Sequence, residues 1–427
     1  MGDKKLKVKK NLFQKFNQFI KHTIQRFQGI DRITLILVAV LFSIGLLMIY
    51  SITSISIYNG AEGDPIHYLK KTLINAIIGI AGMIFVLLIP YRGLKKMSLI
   101  SVFACPLILI LTLLFGKGSG VSNVKSWFDI GPLRIQPAEF VKVGMILSMA
   151  WMISKRIDKG TYYFKSWKLL NGRLLYDSYV PIVGYFGVCT VLVFVQPDFG
   201  SALILGSIGL IAFLSTGIKW KSLWPIVVLG LIGVGLIVIK KLGNSDSYQV
   251  ERLAIWLDPF NQPDGFQSVM GYTAIALGGM TGVGIGNSTQ KYGYVLEPHN
   301  DMISTIIAEE LGVWVILLIM LIYFVIATRC FFTALKSKDI YASIVCIGIG
   351  AIFLVQPVVN LGGASGAIPL TGVTLPFISY GGSSIMSLFI AIGVYCNVRM
   401  EIIAQQKRLK KKREESVKLK VVPFPKS

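Results

Sequence analysis

Acidic residues are scarce in this chain: 21 Asp and Glu stand against 43 Lys and Arg in 427 residues, with only three His and five Cys. Charged residues make up 15% of the whole and hydrophobic residues 54%. That shortage excludes an ordinary soluble domain, in which about a quarter of residues are charged. Few His and Cys means no spacing typical of a zinc site. Cys105, Cys189, Cys330, Cys346 and Cys396 all fall in apolar runs or at their inner ends, so no external disulfide framework is expected. They read as packing inside a membrane. No cleavable signal peptide is expected either, because the basic N-terminus is long and the first apolar run is already of spanning length.

What is present is a series of apolar runs. Crossing ~30 Å of hydrocarbon takes about 20 apolar residues in helical form. Such runs fall near 33–53, 73–90, 98–115, 137–154, 179–196, 199–217, 222–239, 303–327, 340–358 and 382–399. The expectation is an all-α polytopic membrane protein of about ten transmembrane helices, with a large extracellular loop over 240–302 between helices seven and eight. Most Lys and Arg lie in the tails and alternate loops, including Arg92, Lys95, Lys96, Lys155, Arg156 and Lys159. Basic residues resist translocation, so both termini are expected in the cytoplasm of a multi-pass protein.

The formal charge of +22 follows from this topology and from attraction to anionic lipid; nucleic acid is not an expected partner. Residues 1–32 read as a basic tail in which Leu12, Phe16, Phe19, Ile20, Ile24 and Phe27 recur at helical spacing, a pattern for a helix lying on the membrane surface. Residues 33–399 form the membrane domain. Residues 400–427 read as a second basic tail, solvated or lipid-associated, with little further information.

Carboxylates at or inside a membrane are expensive and mark function. The segment GNSTQKYGYVLEPHNDMISTIIAEELG at 286–312 carries Asp301 just ahead of an apolar run that contains Glu309 and Glu310. Asp301 is the candidate for chemistry, with the N-cap of the eighth helix as its alternative role. Upstream, GKGSGVSNVKSWFDIGPLRIQPAEFVK at 116–142 offers Trp127, Arg134, Glu139 and Lys142. Glu139 and Lys142 at i,i+3 can neutralise each other; a buried ammonium can also serve a phosphate. VQPDFGSA places Asp198 where it can cap the following helix or line a polar path. Arg252 and Lys291 in the long loop are candidate anion binders or plain surface charges. IALGGMTGVGIG is too short to span and reads as a re-entrant or surface element. The Gly-, Pro- and Ser-rich segment 360–384 predicts a compact non-helical wall, in which Ser379, Tyr380 and Ser383 serve either a ligand or the local backbone.

The strings GPLRIQPAEFVK, QPDFGSA, GNSTQKYGYVLEPHND followed by AEELG, and PLTGVTLPFISYGGSS resemble, in order and spacing, the signature segments of the SEDS proteins of shape, elongation, division and sporulation. The resemblance covers roughly 33–399. Its wording is closer to the division branch (FtsW) than to the elongation branch (RodA). It implies a peptidoglycan glycosyltransferase of the bacterial cytoplasmic membrane that polymerises lipid II on the outer face, beside a class B penicillin-binding protein transpeptidase and other membrane proteins of the division complex. It also implies that Asp301 is the essential acid, and it maps the family's tryptophan and lysine onto Trp127 and Lys142. One departure stands out: where the family has LPExHTDF, this chain has VLEPHNDM, with Leu296, Asn300 and Met302 in place of proline, threonine and phenylalanine.

The chemistry agrees with such a site. Attack of a sugar hydroxyl on an anomeric carbon that bears a lipid pyrophosphate, with inversion, needs a general base and compensation for the leaving group's charge. Asp301 supplies the base; Lys142, Arg252 and Lys291 are the candidates for the pyrophosphate. Glu309 and Glu310 are expected to pair with a buried base such as Lys142. No residue cluster demands a cofactor, and the metal ligands, if a divalent cation shares the charge, are not identified. Two other readings stay open: a lipid II flippase or transporter with Lys142, Asp198, Glu309 and Glu310 along its path, and a non-catalytic scaffold.

Overall fold

The computed structural model describes residues 27–54, 66–118, 126–131, 133–158, 180–216 and 248–420. Six helices in it are long and apolar enough to cross a membrane: α1 (Arg32–Thr53), α2 (His67–Leu88), α3 (Tyr91–Phe115), α10 (Val313–Leu335), α11 (Ile340–Ala364) and the membrane part of α12 (Gly382–Lys420). Between them lie α4 (Pro137–Asp158), which carries Glu139 and Lys142 within its span, and two shorter apolar helices, α5 (Val180–Val195) and α6 (Phe199–Leu214). The expected helix at 222–239 and the surface-helix pattern of residues 12–27, apart from Phe27, lie outside the described residues.

Burial sorts these helices by position. In the apolar windows of α11 and α12, 72% and 83% of residues are enclosed by protein; in α3 the figure is 22%. α11 and α12 therefore form the centre of the bundle, and α3 lies at its rim with Phe103, Ile100 and Phe115 exposed, a face suited to lipid tails. α12 packs along α2, α11 along α10, and α4 along α3. The five cysteines are buried and free.

One end of the bundle carries the long connections and is called the loop end. It holds a two-stranded antiparallel hairpin, β1 (Phe128–Ile130) with β2 (Leu133–Ile135), a small addition to the expected all-α design. It also holds α7 (Tyr248–Leu257) and α8 (Phe266–Gly278), followed by turns as far as Met302. At the opposite, tail end, Asp31 caps α1 and Asp339 caps α11.

Two expectations are corrected. The run 303–327 is not one helix: α9 (Ile303–Leu311) ends at Gly312 and α10 starts at Val313. Gly312 has φ +83°, a left-handed conformation that glycine adopts without the steric cost of a side chain. The break lets another segment in, since the amides of Val313 and Trp314 donate to the carbonyls of Gly279 and Met280, and the amides of Val283 and Gly284 donate to those of Glu309 and Glu310. The glycine-rich stretch after α8 thus satisfies its backbone against the gap between α9 and α10. Period alone saw continuous apolarity and missed the gap. The second correction concerns the basic tail: the helix of α12 does not stop at 399 but runs on to Lys420.

Candidate active site

The wall between α11 and α12 is held by side chains that reach it from helices. Asn360, buried near the end of α11, donates through Nδ2 to the carbonyls of Asp301 and Val373, at 2.8 and 2.7 Å. Gln356, one turn earlier, donates to Thr374 O. From α7, Arg252 Nη1 donates to Leu370 O at 2.7 Å and Trp256 Nε1 to Gly366 O at 2.8 Å. These bonds bring the Asp301 loop, the wall and α7 to one place. There, a Cβ added to Gly372 would lie 3.8 and 3.9 Å from the terminal nitrogens of Arg252 and 3.9 Å from Asp301 Oδ2. Gly372 is exposed, with φ +69°. A carboxylate and a guanidinium therefore flank a gap that lacks a side chain.

Asp301 does not cap the helix that follows. The N-cap of α9 is Met302, and no side chain accepts there. Burial pushes the Asp301 carboxyl above the usual carboxylate range, and the nearby Arg252 charge opposes the shift. A base so placed is stronger than an exposed aspartate while its cationic neighbour still favours ionisation.

Two residues upstream, His299 joins an aromatic brace. Its ring centroid is 4.2 Å from that of Tyr68 at the start of α2 and 5.6 Å from that of Tyr380 in the wall; Tyr68 and Tyr380 meet edge to face at 5.0 Å. The Tyr380 amide donates to His299 O at 2.8 Å. Burial lowers the His299 pKa, so the ring is neutral at ordinary pH. Neither Tyr68 nor the brace was visible in the sequence, because the partners come from three segments far apart in the chain.

The two buried carboxylates of α9 do different work from Asp301. Glu309 accepts from the hydroxyls of Ser288 and Thr289 and from the amides of Thr289 and Gln290. Glu310 pairs with Lys291 and accepts from Ser51 of α1. The expected pairing with a buried base thus holds for Glu310, but the base is Lys291 and not Lys142, and Glu309 is held by neutral donors instead. Lys142 is 1% exposed and is held by Glu139 at 2.7 Å and by Gln356 Oε1 at 2.9 Å, while Ser387 of α12 donates to Glu139. Lys142 and Lys291, two of the candidates for a phosphate, are thus both buried and ion-paired, with Glu139 and with Glu310. Of the three expected cations, the structure places Arg252 beside Asp301.

The hairpin forms another edge of the loop end. The Arg134 guanidinium lies 5.3 Å from the half-buried Trp127 ring, a cation–π contact. Ser383 Oγ accepts from the Gln136 amide and donates to Arg134 O, fastening the hairpin to the start of α12. Asp198 caps α6 by accepting from the Ser201 amide, and it also accepts from Gln136 Nε2 at 2.7 Å. Ser379 Oγ accepts from the Leu375 amide at 2.8 Å, so it serves the wall's own backbone. Among the described residues, no group of three or more His, Cys, Asp or Glu is arranged to hold a metal ion.

Comparison with known proteins shows the family of the chain. The model of the FtsW/RodA/SpoVE family, described as "Cell cycle protein", matches residues 31–403. The chain is 37% identical over 391 residues to the "Probable peptidoglycan glycosyltransferase FtsW" of Bacillus subtilis (strain 168), covering 88% of this chain and 91% of that one. It is 32% identical to "Stage V sporulation protein E" of the same organism, covering 86% and 96%. Among solved structures, a chain of "Structural coordination of polymerization and crosslinking by a peptidoglycan synthase complex" superposes with TM-score 0.68 at 25% identity, covering 87% of this chain and 98% of that one. The Thermus thermophilus rod shape determining protein RodA superposes with TM-score 0.61 at 22% identity over 87% and 96%, a likeness of fold.

Proposed function

Because the chain belongs to the FtsW/RodA/SpoVE family of cell cycle proteins, we propose that it is a peptidoglycan glycosyltransferase that joins lipid II units into glycan strands. It works at the outer face of the bacterial cytoplasmic membrane with both termini in the cytoplasm, and its naming relatives favour septal wall synthesis over lateral elongation. The observation that carries the site assignment is the convergence of Asp301 and Arg252 on the gap at Gly372.

The reaction needs one proton moved and one anion released. Asp301 takes the proton of the acceptor sugar hydroxyl, whose oxygen forms a bond to the anomeric carbon of the donor from the face opposite its leaving group. The bond between that carbon and the pyrophosphate oxygen breaks, and its electron pair leaves with undecaprenyl diphosphate, inverting the centre. Pyrophosphate departs as a stabilised anion, so no second acid is required, unlike hydrolysis of an ordinary glycoside. Arg252 balances the charge that develops. Trp127, at the hairpin edge, offers an aromatic face to a sugar. Glu139, Lys142, Lys291, Glu309 and Glu310 hold the frame, and no step is routed through a metal.

The partner in this reading is a class B penicillin-binding transpeptidase, supported by the structural likeness to a chain of a synthase complex named for polymerisation and crosslinking; other division-complex membrane proteins complete the set. Purified chain with its transpeptidase and labelled lipid II is expected to make glycan polymer, which disappears in Asp301→Asn and Asp301→Ala. Polymer that persists in those variants while lipid movement across vesicles is lost would establish the flippase reading. Cells that grow normally on Asp301→Ala would point to a scaffold.

A further inference from the structure

The tail end of the bundle holds a cavity of about 350 Å³ among α1, α10 and α12, remote from the Asp301 site. Its lining includes Asp31, Arg329, Phe332, Thr333, Lys336 and Arg399. Three cations face one carboxylate. That carboxylate is fully engaged: Asp31 is 1% exposed, takes both a terminal and the ε nitrogen of Arg329, accepts from Tyr395 Oη at 2.8 Å and from the Thr34 amide, and lies 3.6 Å from Arg399 Nε. One negative charge shared by two guanidiniums leaves the pair positive. Lys336 adds a third cation that has no acidic partner among the described residues. The Arg329 and Arg399 side chains are 29% and 21% exposed, within a ligand's reach yet sheltered from bulk water.

The surroundings say what kind of anion fits. Phe332 lines the cavity at 58% exposure, and Leu335, the last residue of α10, is 79% exposed. Large apolar side chains bare on the last turn of a spanning helix belong among acyl chains, so the cavity opens where a lipid headgroup meets its tails. The chain's own N-terminal segment is a poor occupant, because residues 1–26 carry eight Lys and Arg against one Asp and would bring like charge to a positive cavity.

We propose that this cavity binds the phosphodiester headgroup of an anionic phospholipid, with Arg329, Arg399 and Lys336 around the phosphate and the acyl chains along Phe332 and Leu335. Basic pockets between helices are known binding sites for such headgroups. The bound phosphate completes the charge balance that Asp31 begins, and it ties the start of α1 to the ends of α10 and the membrane part of α12.

The test uses the full chain in nanodiscs of phosphatidylcholine, with and without phosphatidylglycerol, read by native mass spectrometry of retained lipid and by thermal melting. Phosphatidylglycerol is expected to be retained in preference and to raise the melting temperature. Lys336→Gln, a change at the helix cap that leaves the buried Asp31 bonds intact, is expected to weaken retention about fivefold, and Lys336→Arg to restore it. Lys338→Gln, two residues on and not among the cavity's lining residues, is the control for diffuse surface charge and should leave retention unchanged. Equal loss in Lys336→Gln and Lys338→Gln, or no loss in either, would overturn the proposal. So would equal stabilisation by inorganic phosphate in phosphatidylcholine discs, since the ligand would then be a free anion rather than a lipid. These readouts do not depend on glycan synthesis, so they stand or fall apart from the polymerase reading.

Discussion

The proposed reaction asks Asp301 to meet two conditions that conflict. As a base it must be ionised, yet burial disfavours the charge and raises its pKa. The consequence for rate is that polymerisation falls on the acid side at a pH above the usual carboxylate range, because the protonated form cannot accept the hydroxyl's proton. For stability the sign is opposite. A folded pKa above the unfolded one means that the native state holds its proton more tightly, so stability is greatest below the unfolded value and declines as pH rises through the folded value. Asp301→Asn is therefore expected to cost about 10²–10⁴-fold in turnover, the range for a lost general base, while raising the melting temperature at neutral pH. A variant that loses activity and melts lower would show the aspartate to be a structural support instead. Arg252 belongs in the same experiment: Arg252→Met removes the charge that favours ionisation and should move the acid limb further up.

At the level of elements, α9 is the piece that the apolar pattern could not resolve. Its type and the apolar face were plain from the sequence, as were Asp301 ahead of it and the polar wall after α11. The break at Gly312 was not, because its cause lies in another segment: the carbonyls of Gly279 and Met280 approach so closely that a Cβ on Gly312 would come within 2.2 Å of Met280 O. Nor could spacing show that Glu310 finds Lys291 and Ser51 rather than Lys142, since those partners meet only after the loop has folded back. Gly312→Ala should combine that clash with a disfavoured φ and lower both the melting temperature and polymer yield; normal yield would mean the break tolerates a continuous helix. For the ion pair, Lys291→Met alone strands a buried carboxylate, which costs about 3–5 kcal/mol. The double variant Lys291→Met with Glu310→Leu should recover most of that stability. If Lys291 is structural, the double variant also polymerises; a well-folded but inactive double variant would return Lys291 to the pyrophosphate.

Across the whole molecule, two aspartates at each end are shifted in opposite directions. At the loop end, Asp198 and Asp301 are both pushed up by burial. At the tail end burial acts the same way but is outweighed: Arg329, Tyr395 and Arg399 hold Asp31 below its ordinary value, and Lys95 and Tyr91 do so for Asp339. The tail-end pairs join elements distant in sequence, Asp339 linking the start of α11 to Lys95 of α3 at 2.8 Å, while at the loop end Asp198 is held by the neutral donors Ser201 and Gln136. Linkage gives the pH profile. Stabilisation from Asp31 and Asp339 is present above the unfolded carboxylate pKa of about 3.9 and is lost as pH falls through their lowered folded values; the loop-end cost grows as pH rises above that same reference. Melting of the purified chain across pH is expected to show a maximum in mild acid, with two separable flanks. Asp339→Asn should lower stability at neutral pH and leave a smaller drop in strong acid, because the pair it removes is the one acid would break. Asp301→Asn should flatten the neutral flank and leave the acid flank alone. If both variants shifted the same flank, the division of labour between a clasped tail end and a strained, reactive loop end would be wrong.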